Sequence, residues 1–518
     1  MIELPSHVEG QWKKGSGPPA TLVNPATGEP LATAGTSGLD MKAALAFTRA
    51  AGAELRRRTF AERGELVRAM SRAIHAHRDE LIGLAIANGG NTRSDAKFDI
   101  DGASGTLAAY ADLGAELGDA RALQDGDALQ LGRSARLFGQ HLLVAREGAA
   151  VHINAFNFPA WGLAEKAAVA ILAGVPVLTK PATSTALVSH RIVQIFVEQS
   201  VLPAGALSFL AGSAGDLLDH LQGQDVLAFT GSSGTGKGLR GTDAILTHSV
   251  RVNVEADSLN AAVVGPDVEV GSDLWNLALT DIARDVTQKT GQKCTAIRRV
   301  YAPAARVQEL IDDLHARLGA VKVGNPSRED VTMGPLATAQ QQKDIRAGIA
   351  RLTGCARIVF GSATEVTLLG ASADKGFFVS PVLLHCKEPD ARDAVHTHEV
   401  FGPVCTVMPY DGSAMGAAAL VRAGAGGLVS SVYSDDKAFV RDAVLAIAPY
   451  HGRVTVGSSK VASQAIPPGT VMPQLVHGGP GRAGGGEELG GRRGLAFYMQ
   501  RVALQGDRAL LEAIAGKG

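Results

Sequence analysis

The chain reads as an α/β protein with two doubly wound parallel sheets and a small β arm set apart from both. Two stretches of alternation carry that reading: short apolar strands and helices trade places from Ala150 to about residue 240, and again from about Ala261 to Val456. A third observation is the 62 Gly set against 15 Phe and 6 Tyr, a balance that suits many tight turns and close backbone approaches.

Residues 39–120 predict helices, because Leu66, Met70, Ile74 and Leu81 recur at helical spacing with Arg and Glu between them. From Leu129 to Ile153 the pattern becomes strand-like, punctuated by Gly132 and Gly139. The first alternating block then gives strands at 150–153, 176–179, 207–210 and 226–229, and helices at 161–173, 187–199, 215–221 and from Gly236 onward. In the second block a helix is expected at 305–318, and strands near Val300, at 378–383 and at 404–409. The tail is Gly-rich from His477 to Gly494 and then offers a strand at 497–504. These runs suggest one α/β domain from 1–127 and 149–256 and a second at 257–480. Strands in 128–148 and 495–508 would otherwise be exposed edges, which suits subunit association.

At 518 residues, 46% hydrophobic and 19% charged, the chain can bury more than one core. Fifty basic against 51 acidic residues leave no bulk field for nucleic acid or anionic lipid. Residues 1–10 hold Glu3, His7 and Glu9 with no apolar run, so no signal peptide is expected. The richest apolar stretch, 167–178, is broken by Gly174 and Pro176 and is shorter than the ~20 residues a membrane helix needs. Four Cys, none in a CxxC pair, do not make a disulfide framework. A soluble cytoplasmic protein is the expectation.

Cys294 lies in Gly291-Gln292-Lys293-Cys294, Glu255 ends the apolar run Val252-Asn253-Val254, and Asn157 lies in Phe156-Asn157-Phe158-Pro159. Singly these are ordinary: a small buried thiol, a surface carboxylate, a helix cap. Together they are a nucleophile, a general base and an oxyanion donor, with Lys293 expected to favour thiolate and Glu255 placed at a strand carboxyl end. The cluster from Thr230 to Lys237 nearly fits a triphosphate loop, but Gly238 stands where that motif needs a hydroxyl. A dinucleotide pyrophosphate at the following helix is the better reading, with a nucleoside triphosphatase as the rival. His385, Cys386, His396, His398 and Cys405 lack paired-ligand spacing, so no metal is expected.

These motifs together resemble the aldehyde dehydrogenase superfamily over nearly the whole chain. The resemblance implies Cys294 as nucleophile, Glu255 as base, Asn157 as oxyanion amide, and Lys166 and Glu488 in a proton relay. It implies a cofactor site formed from Ile153, Asn154, Ala155, Phe156, Lys180, Ala182, Thr183, Gly212, Gly231, Ser232, Gly236, Glu399 and Phe401. Phe156 replaces a usual Trp and Ala256-Asp257 a usual Gly pair, so local cofactor packing could differ. Thr183 stands where NAD-preferring relatives often carry Glu, which leaves room for a 2′-phosphate and favours NADP, with NAD possible. Retention of Glu255 implies hydrolytic release of an acid and not transfer to CoA.

The tail from His477 to Gly491 resembles a narrower branch acting on CoA-linked semialdehydes in aromatic-acid breakdown. A chain ending at Gly518 without a hydratase domain favours 3,4-dehydroadipyl-CoA semialdehyde of benzoate degradation. The alternatives are the 3-oxo-5,6-dehydrosuberyl-CoA semialdehyde of phenylacetate degradation, a generic aldehyde, or a catalytically silent structural homologue. A homodimer or dimer of dimers is expected.

Overall fold

The structure, a computed structural model, describes residues 1–514. Its first seven-stranded sheet runs Arg251–Glu255, Val226–Thr230, Ala150–Ile153, Val177–Lys180 and Leu207–Phe209 in parallel. Ser6–Val8 and Gln11–Lys13 then close that edge antiparallel, an addition the sequence reading did not foresee. The second sheet is ordered Arg357–Phe360, Val382–His385, Val404–Tyr410, Ile297–Pro303, Asn260–Val264, Gly427–Tyr433 and His451–Gly457, all parallel except its first strand. Both sheets carry near-continuous apolar strands because helices cover both faces.

The helical region resolves into Met41–Arg57, Phe60–Ala76, Arg78–Gly89 and Arg93–Leu117. Phe60–Ala76 begins with a capping box in which Thr59 and Glu62 satisfy each other's backbone donors. The apolar helix Trp161–Ala173 is buried almost all round beneath Arg93–Leu117, as a central helix must be.

Three local expectations need correction. The 378–383 segment becomes a strand only from Val382, since Ser380-Pro381 intervenes and a proline supplies no N–H to a ladder. Residues 215–221 give one 3-10 turn, Leu217–His220, too short to propagate a helix. The late strand starts at Met499, after a short helix Arg492–Tyr498, and runs to Asp507. It pairs with Leu137–Ala145, which pairs in turn with Leu123–Gln130, forming an antiparallel three-stranded arm. No helix among the described residues is long and apolar enough to cross a membrane.

Candidate active site

Cys294 is delivered by a strained turn. Lys289, Thr290 and Gly291 all have left-handed backbones, φ 53°, 56° and 66°, an unfavourable conformation for a β-branched Thr. Surrounding contacts hold it: Thr290 donates to the Gly334 carbonyl at 2.9 Å, and Lys289 Nζ lies 4.2 Å over the Phe158 ring. Gly291 is required there, because a Cβ would strike the Gly402 carbonyl. Gln292 buckles the loop, accepting from the Ala337 N–H at 3.1 Å while its own carbonyl accepts from Asn157 Nδ2 at 3.0 Å. Asn260 Nδ2 donates to the carbonyls of Cys294 and Ala296 at 2.8 and 2.9 Å.

Two cavities meet at this thiol. One is a cleft of about 570 Å³ whose walls include Ala155, Phe156, Ala182, Gly231, Ser232, Glu399 and Phe401. The other is a narrow apolar pocket walled by Phe98, Phe158, Trp161 and Val471. Ala155, Asn157, Thr230, Glu255 and Cys294 line both. Ile153, Asn154, Lys180, Thr183, Gly212 and Gly236 lie off the walls of the larger cleft; Lys180 ends the strand Val177–Lys180 and gives its ammonium to the Pro181 carbonyl at 2.9 Å.

Glu255 ends its strand as the sequence indicates and is buried. Its carboxylate oxygens have no hydrogen-bond partner among the described residues, although His477 Nε2 stands 3.3 Å from Oε1. Burial raises its pKa, but the His477 charge and then Lys166 outweigh burial and hold the carboxyl below its ordinary range. Lys166 Nζ bridges Glu165 Oε1 and Glu488 Oε2, each at 3.1 Å. Burial opposes that ammonium, yet Glu488 and Glu165 hold it charged. Glu488, whose Oε1 accepts from Asn253 Nδ2 at 3.1 Å, is pushed up by burial against the pull of Lys166.

The Gly-rich tail explains how Glu488 reaches this place. Val476–Gly479 and Gly486–Leu489 form a hairpin pressed against the strand Arg251–Glu255. At Gly484, φ 99°, a Cβ would meet the Val254 carbonyl, and at Gly478, φ 148°, the Gly486 carbonyl. The same hairpin brings His477 to 3.8 Å from Cys294 Sγ. Sequence reasoning missed His477 and Glu165; the available signals were a histidine facing Glu488 across a Gly-rich turn and a carboxylate adjoining Lys166.

One electrostatic expectation is overturned. Lys293 turns away from the thiol into a buried pair with Asp285 at 2.6 Å and Gln288 at 2.9 Å. It cannot favour thiolate; burial, followed by the neighbouring Glu255, pushes the Cys294 thiol well above its ordinary range. The His and Cys residues between 385 and 405 do not converge: Cys386 and Cys405 belong to separate apolar clusters, and His396 faces Arg299.

The cleft fits a dinucleotide. Gly231 leads into the helix Ser233–Arg240, where a Cβ on Gly231 would collide with the Phe229 ring. Buried Glu399 accepts from the Ser258 N–H at 3.0 Å through Oε2, while Oε1 lies 3.5 Å from Arg298 Nε and has no hydrogen bond among the described residues. Phe156 and Phe401 face each other edge to face at 5.9 Å. Asp257 is a departure: its carboxylate takes the Ser233 N–H at 3.0 Å and hydroxyl at 2.6 Å, so an anion already caps the helix expected to meet the pyrophosphate.

A thiol, a carboxylate and an amide thus line the junction of a dinucleotide-sized cleft and an apolar pocket, an arrangement that suits a nicotinamide-linked dehydrogenase. The chain belongs to the aldehyde dehydrogenase family, whose profile matches residues 12–503. It is 45% identical over 480 residues, 92% of this chain and 93% of the other, to 3,4-dehydroadipyl-CoA semialdehyde dehydrogenase of Aromatoleum evansii. It is 26% identical over 78% of its length to alpha-ketoglutaric semialdehyde dehydrogenase of Bacillus subtilis, covering 80% of that protein. Its fold is similar to that of betaine aldehyde dehydrogenase from Staphylococcus aureus in complex with NAD+, with TM-score 0.84, 21% identity and coverage of 98% and 95% of the two chains.

Proposed function

We propose that this aldehyde dehydrogenase oxidises a CoA-linked semialdehyde to its acid with NADP, and that 3,4-dehydroadipyl-CoA semialdehyde is the substrate. The observation that carries the chemistry is the meeting of Cys294, Glu255 and Asn157 where the two cavities join. The substrate rests on the 45% relative, and the NADP preference on Thr183, which offers a hydroxyl and no carboxylate to the ribose.

In this reading Cys294 adds to the aldehyde carbonyl, and Asn157, oriented through one amide hydrogen by Gln292, uses the other on the oxyanion. A bound nicotinamide supplies a hydride acceptor; Glu399 and Phe401 would hold its end, Gly231 and Ser232 the pyrophosphate, and Lys180 and Thr183 the adenosine ribose. Glu255 then takes a proton from water, which attacks the thioester, and Lys166 with Glu488 passes the proton outward. Residues 1–127 and 149–256 are the cofactor-binding domain and 257–480 the catalytic one. The arm, with Leu129, Leu131, Leu137 and Val502 exposed, would join subunits of a cytoplasmic dimer or dimer of dimers.

The test measures reduced-nicotinamide absorbance for a CoA-linked semialdehyde and a short free aldehyde, each with NADP and NAD. A much higher kcat/KM for the CoA-linked substrate with NADP is expected. Equal rates on the free aldehyde would remove the CoA assignment and keep the dehydrogenase.

A further inference from the structure

His477 is the buried group closest to the reacting sulfur that the mechanism above leaves unused. Its Nε2 lies 3.8 Å from Cys294 Sγ and 3.3 Å from Glu255 Oε1, so the imidazole, thiol and carboxylate all lie within 4.8 Å of one another. We propose that His477 is a catalytic acid–base residue: it takes the Cys294 thiol proton when the sulfur attacks and returns it when the sulfur leaves. The inference rests on Cys294 being the nucleophile.

The site needs such a group. Burial disfavours a thiolate, the adjacent Glu255 disfavours it further, and Lys293 is committed to Asp285. Among the described residues Glu255 is the only other base in contact, and it is required for water; a thiol proton parked there would have to leave before the second half-reaction. An imidazole receives the proton without that conflict, and the carboxylate beside it favours the imidazolium that forms. The charged groups facing His477 are Glu255 from the first sheet, Glu165 from the helix Trp161–Ala173, Glu488 from its own hairpin, and Arg453 from the second sheet. Burial alone lowers the pKa of this imidazole, but Glu255 and then Glu165 reverse the sign and raise it above 6.5.

The steps balance. In the active form Glu255 is ionised and one proton is held between Cys294 and His477. The S–H bond breaks as N–H forms on Nε2, and the thiolate adds to the carbonyl carbon while its π pair moves to oxygen. With a bound nicotinamide as acceptor, the adduct would give up its hydride and the C=O bond would reform as a thioester. Water loses a proton to Glu255, hydroxide adds, the C–S bond breaks, and the imidazolium reprotonates the departing sulfur. The proton on Glu255 leaves through Lys166 and Glu488, so each residue ends as it began.

Iodoacetamide alkylation of Cys294 in the nicotinamide-free enzyme, followed by peptide mass against pH, tests this. Wild-type reactivity should rise through a midpoint between about pH 6.5 and 8.5, the imidazole side of the ordinary thiol value. His477→Gln and His477→Phe should each move the midpoint up by at least about one unit and lower the rate at pH 7.5 about ten-fold or more. Unmoved profiles in variants with wild-type melting temperatures would overturn the proposal. A wild-type midpoint at or above pH 9.0, the ordinary thiol value, would overturn it even if neither variant folds. Turnover by Cys294→Ala would overturn the nucleophile itself; a dead Cys294→Ala beside an unmoved His477→Gln would remove only the role of the histidine.

Discussion

The two seven-stranded sheets share a parallel core but offer the site opposite ends. From the first sheet come strand carboxyl ends: Ile153 leading to Asn157, Thr230 leading to Ser232, and Glu255 itself. From the second come amino-end approaches: Cys294 precedes the strand Ile297–Pro303, Glu399 and Phe401 precede Val404–Tyr410, and Ser258 precedes Asn260–Val264. The link of residues 256–259 explains the inversion. It carries the chain straight from the last strand of one sheet into the middle of the other, so the second sheet must meet the cleft with its entering ends. The habit of parallel sheets to hold ligands at strand carboxyl ends therefore accounts for Glu255 and not for Cys294.

Each end can be broken separately. On the proposed mechanism, removing the amino-end thiol with Cys294→Ala should lower turnover by about 10⁴-fold or more while the nicotinamide cofactor still binds, read by steady-state kinetics beside fluorescence titration. Retained turnover would show that the second sheet contributes no nucleophile. At the carboxyl end, Glu255→Gln should slow steady-state turnover by about 10²- to 10⁴-fold yet leave a single-turnover burst of reduced cofactor. Loss of the burst along with turnover would place Glu255 in the first half-reaction instead.

Smaller effects sharpen the cofactor side. Asp257→Ala frees the N-terminus of Ser233–Arg240, and KM for NADP should fall about three- to ten-fold; a rise would mean the carboxylate orders the turn the cofactor needs. Glu399 supplies a pH signature. Burial lifts its carboxyl to about 7, against the pull of Arg298. Between its ordinary 4.5 and about 7 the folded state holds the proton more tightly than the unfolded state, so this group lowers stability as pH rises through that window. Glu399→Gln should lose that decline, its melting temperature gaining on the wild type from pH 5 to pH 8. A constant difference would show that Glu399 stays ionised in the fold.

Much of this was legible along the chain because it depends on local order. Apolar runs of four to seven residues between amphipathic helices predict parallel sheets, and Glu255, Asn157 and Cys294 each carry a local context. The N-terminal strands Ser6–Val8 and Gln11–Lys13 were not legible, since three residues of mixed polarity become a strand only by joining an edge formed 200 residues later. Chain order alone therefore determined the α/β class and the two sheets and singled out Cys294, Glu255 and Asn157 as candidates, because period and neighbouring residues encode them. Tertiary structure alone decided that Lys293 serves Asp285 and not the thiol, that Asp257 caps the helix Ser233–Arg240, and that His477 reaches the sulfur. Those three outcomes depend on which way a side chain points once distant strands have packed, and contacts of 2.6 to 3.8 Å cannot be read from separations of eight, 24 or 183 residues.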